Sequence, residues 1–320
     1  MGLGIATTEF LVEAVARGAR LDRTATIGKQ AVFVGPGRLI RLLKRHERWP
    51  DGASQRAFFR SFRAEPWVLD PLLRTLGADS IDSIDASDYE GATIVHDLNQ
   101  PIGADLTERF SFVLDGGSLE HIFNVPVALR SYMEMVEVGG HLMIHTMANN
   151  YLGHGFYQFS PELFFRTLVP DNGYEVERVV LVENDIAWRS VLGVTVPFEM
   201  ARGWYEVRDP AAIRGRVLLQ SKRPVVIQVL ARRTNRAPIF EATPQQSDYV
   251  AMWSEEGDGA GHDGERLIRR IGRSIPPELQ MEIALDAIPS VLRPLNPIRF
   301  LREARGRSLR NRAWYRRVRR

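Results

Sequence analysis

Seven stretches of the chain combine β-branched and apolar residues in the way that is typical of buried strands, and helical patterns separate most of them. The last two strands follow each other without a crossover helix, so one of them is expected to run antiparallel. The pattern predicts an α/β fold whose doubly wound, mainly parallel sheet has seven strands. The predicted strands are 23–34, 80–85, 92–97, 110–115, 141–147, 174–183 and 224–231, and the predicted helices are 38–46, 67–76, 125–137 and 160–168.

Three regions of different composition divide the chain. Residues 1–245 hold the predicted strands and form the α/β body. Residues 246–264 are predicted to be a flexible linker, because they include the glycine-rich, acidic segment WSEEGDGAGHDG. Residues 265–320 are predicted to form a helical, arginine-rich extension. From residue 296 onward there are ten arginines and one acid, a charge of +9, which leaves −6 for the rest of the chain.

Composition excludes several kinds of chemistry. Of the 320 residues, 44% are hydrophobic and 25% are charged, as in ordinary folded proteins. The chain has no cysteine, which excludes disulfides, thiolate metal ligands and cysteine nucleophiles. No apolar stretch is long enough to span a bilayer, and the first residues lack the basic start of a signal peptide. A cytoplasmic protein is therefore predicted.

The basic end of the chain predicts contact with a polyanion. Trp314 and Tyr315 lie among arginines, and Ile298, Phe300 and Leu301 add apolar side chains. Anionic lipid headgroups at the inner face of the membrane suit this mixture better than nucleic acid does, because a lipid surface also accepts apolar side chains. The alternative interpretation is a charge run that is simply solvated.

Four pieces of residues 80–178 stand at predicted strand ends and turns: SIDASDYE, IVHDLNQPI, FSFVLDGGSLEHIFN and LRSYMEMVEVGGHLMIHT. In this order and spacing they resemble the corresponding pieces of class I S-adenosylmethionine-dependent methyltransferases. The family has a GxGxG loop after its first strand, whereas this chain has IGKQ at residues 27–30. The resemblance implies a Rossmann-like methyltransferase fold and S-adenosyl-L-methionine as the cofactor.

The resemblance implies an adenosine site at the carboxyl ends of two strands, where ligands bind in parallel sheets. Asp85 would accept hydrogen bonds from both ribose hydroxyls, a task that needs two fixed carboxylate oxygens. Asp97 and the backbone of Leu98 would hold the adenine. The residues alone leave an alternative open, since Asp85 and Asp97 also suit turns, as Asp82 and Asp88 do.

The methionine part of the donor is expected beside two further loops. Asp115 and Gly116 would border it after the strand 110–115, because a missing side chain lets a ligand approach the backbone. Gly28 would lie in the loop after the first strand. The alternative for Asp115 is a purely structural cap of the glycine turn that follows it.

Two histidines are candidates for proton transfer. His121 follows the strand 110–115, where the resemblance implies that the transferred methyl group lies, and an imidazole there suits a general base acting on a hydroxyl. His154 lies in the segment ANNYLGHGFYQFSPELFFR, which resembles a stretch of uncharacterised bacterial methyltransferases. Its aromatic and amide side chains suit a sugar-like acceptor. The alternatives are a structural histidine and a lid packed by its own aromatic rings.

No HExxH spacing or carboxylate–histidine cluster is visible in the sequence, so no metal site is predicted. The predicted function is S-adenosylmethionine-dependent methyl transfer to an oxygen of a small or sugar-like acceptor, in the biosynthesis of surface polysaccharide. Two alternatives stay open. One is a scaffold protein of the same fold that has lost donor binding, and the other is a nucleic-acid methyltransferase or binder.

Overall fold

The computed structural model describes residues 2–64, 67–191, 194–213, 217, 219–250, 308–309 and 311–318, with only the backbone described for residues 63 and 185–200. The strands are β1 Gly2–Leu3, β2 Arg23–Ile27, β3 Ala31–Val32, β4 Ser80–Asp85, β5 Ile94–Val95, β6 Phe110–Gly116, β7 Val136–Asn149, β8 Tyr174–Val191, β9 Val194–Val207, β10 Val225–Arg233 and β11 Tyr315–Arg317. The α-helices are α1 Ile5–Ala16, α2 Pro36–Arg45, α3 Gly52–Ala64, α4 Asp70–Thr75, α5 Val125–Met135, α6 Pro161–Thr167 and α7 Pro210–Ile213, and short 3-10 helices cover Leu119–His121 and Pro170–Asn172.

Nine of the strands form one mixed sheet in the order β11-β9-β8-β10-β7-β6-β2-β4-β5. Strands β5, β4, β2, β6 and β7 run parallel, and the order reverses between β2 and β6. Strand β10 is antiparallel to both of its neighbours, β7 and β8, and β9 and β11 continue the sheet antiparallel. The predicted α/β fold with a central sheet is confirmed, but the predicted count of seven strands is wrong.

Two additions at one edge account for the larger sheet. The strand predicted at 174–183 continues to Val191 as β8 and returns as the antiparallel β9. Strand β11 comes from the C-terminal extension, where Tyr315 pairs with Val207 of β9. The predicted helical extension is therefore wrong for Tyr315–Arg317, and residues 251–307, which include most of the predicted linker and helices, lie outside the described residues.

Glycines lie in or beside two of the predicted elements. The glycine turn predicted at Gly28 within the strand 23–34 is confirmed, and it separates β2 from β3, which pairs with β1 in a separate two-stranded parallel sheet. Helix α5 ends at Met135, and the chain passes directly into β7, so that the glycine pair 139–140 lies inside the strand. Gly140 is required there because a Cβ atom would lie 2.7 Å from the carbonyl oxygen of Ser111.

Hydrophobic residues on both faces of the sheet hold the helices. Along β7, Leu142 and Ile144 belong to the core that includes α5 and α6, whereas Met143 belongs to the core that includes α1 and α2. This alternation follows from the two-residue period of a strand. Every residue of β6 is buried, as expected for the centre of a sheet covered on both faces. None of the helices in the described part of the chain is long and apolar enough to cross a membrane.

Candidate functional site

The reversal of strand order between β2 and β6 makes their carboxyl ends the expected place for a ligand in a doubly wound sheet. In the parallel register, Ile27 of β2 lies opposite Ile84 of β4 and Asp115 of β6. The loop after β2 is tied to β4 because the Gly28 amide donates to the carbonyl oxygen of Ile84, at 2.7 Å. All of the predicted donor-contacting residues therefore lie along one edge of the sheet. Whether they contact a donor stays a prediction.

Two aspartates of β4 differ in how their carboxylates are used. Asp82 accepts a hydrogen bond from Thr93 Oγ1 at 2.9 Å and pairs with Arg109 at 3.0 Å. Asp85, at the carboxyl end of the strand, is half-buried, and its carboxylate makes no hydrogen bond or ion pair within the described residues. The backbone carbonyl of Asp85 accepts from the His96 amide at 2.7 Å, which fixes the strand end. Asp85 thus offers both carboxylate oxygens to a ligand.

Asp97 shapes a turn after β5. Its Oδ1 accepts hydrogen bonds from the backbone N–H of Asn99 at 2.9 Å and from the Asn99 side chain at 2.8 Å. These bonds lower the pKa of Asp97, the backbone bond most of all, and keep it ionised. Leu98 is buried in the core beneath the turn. The turn interpretation of Asp97 is therefore realised, and its second carboxylate oxygen has no partner within the described residues.

Asp115 is fully buried at the end of β6. Its Oδ1 accepts from the amides of Gly117 and Ser118 at 2.9 and 2.6 Å, and its Oδ2 accepts from the amide of Leu119 at 3.0 Å. Burial, followed by the nearby Glu120, raises the pKa of Asp115 to about 7. The structure gives this carboxylate the role of a cap, which sets the turn that carries the next two side chains.

The loop after β2 carries a glutamine side chain where the family that the sequence resembles has its GxGxG loop. Gln30 is buried, and its Nε2 donates to the carbonyl of Ile27. A Cβ atom on Gly116 would collide with Gln30 Oε1 and lie 2.9 Å from Leu3 Cδ1. Gly116 therefore lacks a side chain because Gln30 and Leu3 pack against it. Gln30 and Leu3 thus fill the space in which a side chain at position 116 would lie.

Glu120, His121 and His154 form a cluster beside this edge. Glu120 Oε1 lies 3.7 Å from His154 Nε2, and the two imidazole rings have centroids 5.1 Å apart. Glu120 is fully buried, whereas both histidines are exposed. The structure thus brings the two predicted histidines together. No spacing in the sequence indicates this cluster, because His154 reaches the site from a loop after the next strand.

Sequence reasoning missed Glu120, which is the buried member of this cluster. Its Oε2 accepts a hydrogen bond from Thr146 Oγ1 at 2.7 Å. Its backbone carbonyl accepts from the amides of Phe156 and Tyr157 at 2.7 and 3.3 Å, and so joins the His121 turn to the His154 loop. The only local signal was the adjacent pair Glu120-His121 after a strand, which by itself does not reveal that the carboxylate points inward.

Burial, partial for two of them, lowers the pKa of three histidines near this edge. Partial burial lowers the pKa of His121. Partial burial also lowers the pKa of His154, and the nearby His121 lowers it further. His145, on β7, is fully buried, and its Nδ1 lies 3.1 Å from Thr7 Oγ1 of α1. Burial lowers the pKa of His145 to about 4. Neutral imidazoles keep a nitrogen lone pair that can accept a proton or bind a cation.

An exposed phenylalanine follows each of the two histidines two residues further along the chain. Phe123 and Phe156 are 69% and 66% exposed, and their rings meet edge to face with centroids 5.8 Å apart. Tyr157 Oη donates to the carbonyl of Phe123 at 2.9 Å, which links the two loops a second time. Leu152 lies in the same loop as His154 and is 96% exposed. Together they form an apolar rim at which a ring-shaped molecule is able to stack.

Comparison with protein-family models finds no match, and no curated protein matches the sequence. Among solved structures, TehB from Haemophilus influenzae is similar with 14% identity and a TM-score of 0.33, over 70% of this chain and 62% of that one. The chain thus spans less than two thirds of TehB. A putative methyltransferase from Bacillus halodurans has 10% identity and a TM-score of 0.33, over 71% of this chain and 99% of that one. Similarities of this size assign no activity to this chain.

Proposed function

We propose that the chain is an S-adenosylmethionine-dependent methyltransferase that acts on an oxygen of a small or sugar-like acceptor. The observation that carries the proposal is the carboxylate of Asp85. It stands at the carboxyl end of β4, one strand from the point where the strand order reverses, and both of its oxygens are available. A fixed carboxylate in this position suits the two hydroxyls of a ribose.

The residues present fit the adenosine half of the donor better than its methionine half. Asp85 would accept from the ribose hydroxyls, and Asp97 and Leu98 would border the adenine. At the other half, Gln30 lies over Gly116. The end of a glutamine side chain rotates easily, so donor binding requires Gln30 to leave this position. When bound, S-adenosylmethionine supplies a methyl group activated by a sulfonium sulfur.

The acceptor would lie against His121, His154 and the apolar rim. Phe123 and Phe156 would stack on the apolar face of a sugar ring, as exposed aromatic rings do. A neutral His121 or His154 would take the proton that the acceptor hydroxyl loses as its oxygen gains the methyl group. A sugar of a surface polysaccharide is the acceptor class that we propose.

Calorimetric titration with S-adenosylhomocysteine tests the donor site without knowledge of the acceptor. We expect saturable binding to the parent chain. In Asp85→Asn the affinity should fall about 10- to 150-fold, because hydrogen bonds to a charged group contribute about 1.5–3 kcal/mol. The half-buried position of Asp85 allows the neutral amide without unfolding.

Asp82→Asn is the matched control for this titration. It removes a carboxylate from the same strand, but that carboxylate is bound to Arg109 and Thr93. Its affinity for S-adenosylhomocysteine should equal that of the parent chain. Equal affinity in Asp85→Asn and the parent would remove Asp85 from the donor site.

One observation favours a second candidate function, a scaffold protein of this fold that binds no donor. Gln30 and Leu3 fill the space beside Gly116, as they would in a chain that had lost its methionine site. For a scaffold, neither the parent chain nor Gln30→Ala binds S-adenosylhomocysteine. For a methyltransferase, Gln30→Ala binds at least as tightly as the parent. No such observation favours a nucleic-acid function, because most of the arginine-rich end lies outside the described residues.

A further inference from the structure

The carboxylate of Glu120 is buried with only one of its two oxygens hydrogen-bonded. Glu120 is 0% exposed, and Thr146 donates to only one of its two oxygens. Within the described residues, Oε1 has no hydrogen-bond partner, and its nearest cationic candidate is His154 at 3.7 Å. A buried carboxylate oxygen without a partner costs folding free energy, so a buried acid of this kind normally meets a proton donor or a cation.

The free oxygen points towards two imidazoles. Glu120, His121 and His154 each place one ligand atom within 4.8 Å of the others. An ion bound at about 2.0–2.2 Å from each atom holds its ligand atoms about 3–3.5 Å apart. The exposed side chains of His121 and His154 need only small rotations to reach this spacing. The three residues are therefore close to the geometry of a bound ion.

The backbone of both loops is already held in place for such a site. Asp115 caps the turn that carries Glu120 and His121. The carbonyl of Glu120 receives the amide of Phe156, which ties down the loop that carries His154. Thr146 orients the carboxylate from below, in the way that outer hydrogen bonds orient metal ligands. Ion binding therefore requires little further ordering of the two loops.

We propose that Glu120, His121 and His154 bind one divalent first-row transition-metal ion. Two imidazole nitrogens and one carboxylate oxygen are a donor set that zinc accepts in sites with an open coordination position. Calcium and magnesium prefer oxygen ligands alone and do not suit this set. Because both histidines are exposed, the open position would face solvent.

A second group of this kind consists of Glu9, Glu13 and His46, and it differs in that both carboxylates are paired with arginines. Glu9 pairs with Arg45 at 2.9 Å, and Glu13 pairs with Arg178 at 2.7 Å. Both carboxylates are thus already neutralised by arginine. His46 therefore provides an internal control for the first group.

The metal site goes beyond the proposed methyl transfer and does not depend on it. A bound ion would engage the imidazole lone pairs, so His121 and His154 would not then serve as bases. Zinc binding is measured without donor or acceptor, and S-adenosylhomocysteine binding is measured on the metal-free chain. Failure of one experiment therefore leaves the other unaffected.

The test is a calorimetric titration of the full chain with zinc, after a chelator has removed any bound metal. We expect one zinc per chain at micromolar concentration. His121→Ala, His154→Ala and Glu120→Gln should each weaken binding by at least about 100-fold, since even loss of an outer hydrogen bond to a ligand costs about 10- to 100-fold. Thr146→Val removes that outer bond and should weaken zinc binding by about 10- to 100-fold.

His46→Ala should bind zinc like the parent chain. Both histidines of the site are exposed, so their alanine variants should keep the circular dichroism spectrum of the parent. Cobalt in place of zinc should give visible absorption that His121→Ala and His154→Ala lose. Absence of saturable binding below millimolar zinc would overturn the proposal, as would unchanged affinity in both histidine variants or loss of binding in His46→Ala alone.

Discussion

At the scale of single residues, the surroundings of a side chain decide its role more than its type does. Asp82 and Asp85 lie three positions apart on one strand, yet Arg109 and Thr93 engage only the first. Asp115 has the same carboxyl group, but three amides enclose it and burial raises its pKa to about 7. The sequence identified Asp85 and Asp115 as strand-end candidates and Asp82 as a turn residue. It left open which of them faces a ligand, because that depends on neighbours from distant parts of the chain.

The buried His145 predicts how stability depends on pH. An unfolded imidazole takes up a proton near pH 6.5, whereas in the folded chain burial lowers the pKa of His145 to about 4. Between these values the unfolded state binds more protons, so the free energy of unfolding should fall by about 3 kcal/mol as the pH drops from 6.5 to 4. Urea unfolding across this range measures the loss.

His145→Gln should remove most of this slope, because the amide is able to keep the bond to Thr7 without taking up a proton. His96→Gln, at a half-buried position that bonds the carbonyl of Gln100, should keep the slope of the parent. The neighbour that further disfavours protonated His145 is His154. If the free energy of unfolding falls equally with pH in the parent and in His145→Gln, His145 is not the group responsible.

At the scale of elements, the predicted strands and helices agree with the structure where a local pattern carries the information. The prediction for α5 began at the observed residue, with proline in the first turn. It ended late, because Gly139 and Gly140 were interpreted as a helix stop. A glycine is required at position 140 because the carbonyl of Ser111 in the neighbouring strand β6 approaches it closely. A glycine required by a neighbouring strand cannot be distinguished in sequence from one required by a turn.

Two glycines of the His154 loop provide a matched pair of variants. Gly153 and Gly155 both have positive φ, +88° and +78°, so alanine at either position should cost about 1–2 kcal/mol. At Gly155 a Cβ atom would also lie 2.6 Å from the Glu120 carbonyl oxygen, whereas at Gly153 nothing lies within 4 Å. Gly155→Ala should therefore cost about 1–3 kcal/mol more than Gly153→Ala.

Urea denaturation of both variants checks this difference. Since the extra cost arises where the two loops touch, Gly155→Ala should also weaken zinc binding, and Gly153→Ala should do so less. Equal losses of stability would mean that the contact between Gly155 and Glu120 is absent in solution.

At the scale of the whole molecule, the C-terminal segment is part of the main sheet. Strand β11 pairs with β9, and Trp314 and Tyr315 are buried, with 7% and 2% of their surfaces exposed. Arg316 pairs with Glu206 of β9. The aromatic residues that the sequence assigned to a polyanion surface thus pack in the core. The charge run concealed this, because the two arginines that follow the buried aromatic pair, Arg316 and Arg317, are exposed.

Trp314→Ala should lower the free energy of unfolding by about 3–5 kcal/mol, the usual cost of removing a large buried aromatic side chain. Arg312→Ala, an exposed position two residues earlier, should change it by no more than about 0.5 kcal/mol. Chemical denaturation of the two variants measures the contrast. A small effect of Trp314→Ala would mean that the segment does not belong to the folded body.

The sequence by itself determined the alternation of strands and helices, the parallel core of the sheet and the polar residues at its strand ends, because side-chain periodicity and turn residues are local properties. Only the tertiary structure decided which of those residues meet. It placed Gln30 over Gly116, bound Asp82 while leaving Asp85 available, and brought His154 to Glu120 and His121. These contacts join loops that follow different strands, and their geometry depends on the register and packing of the whole sheet, which no local pattern encodes.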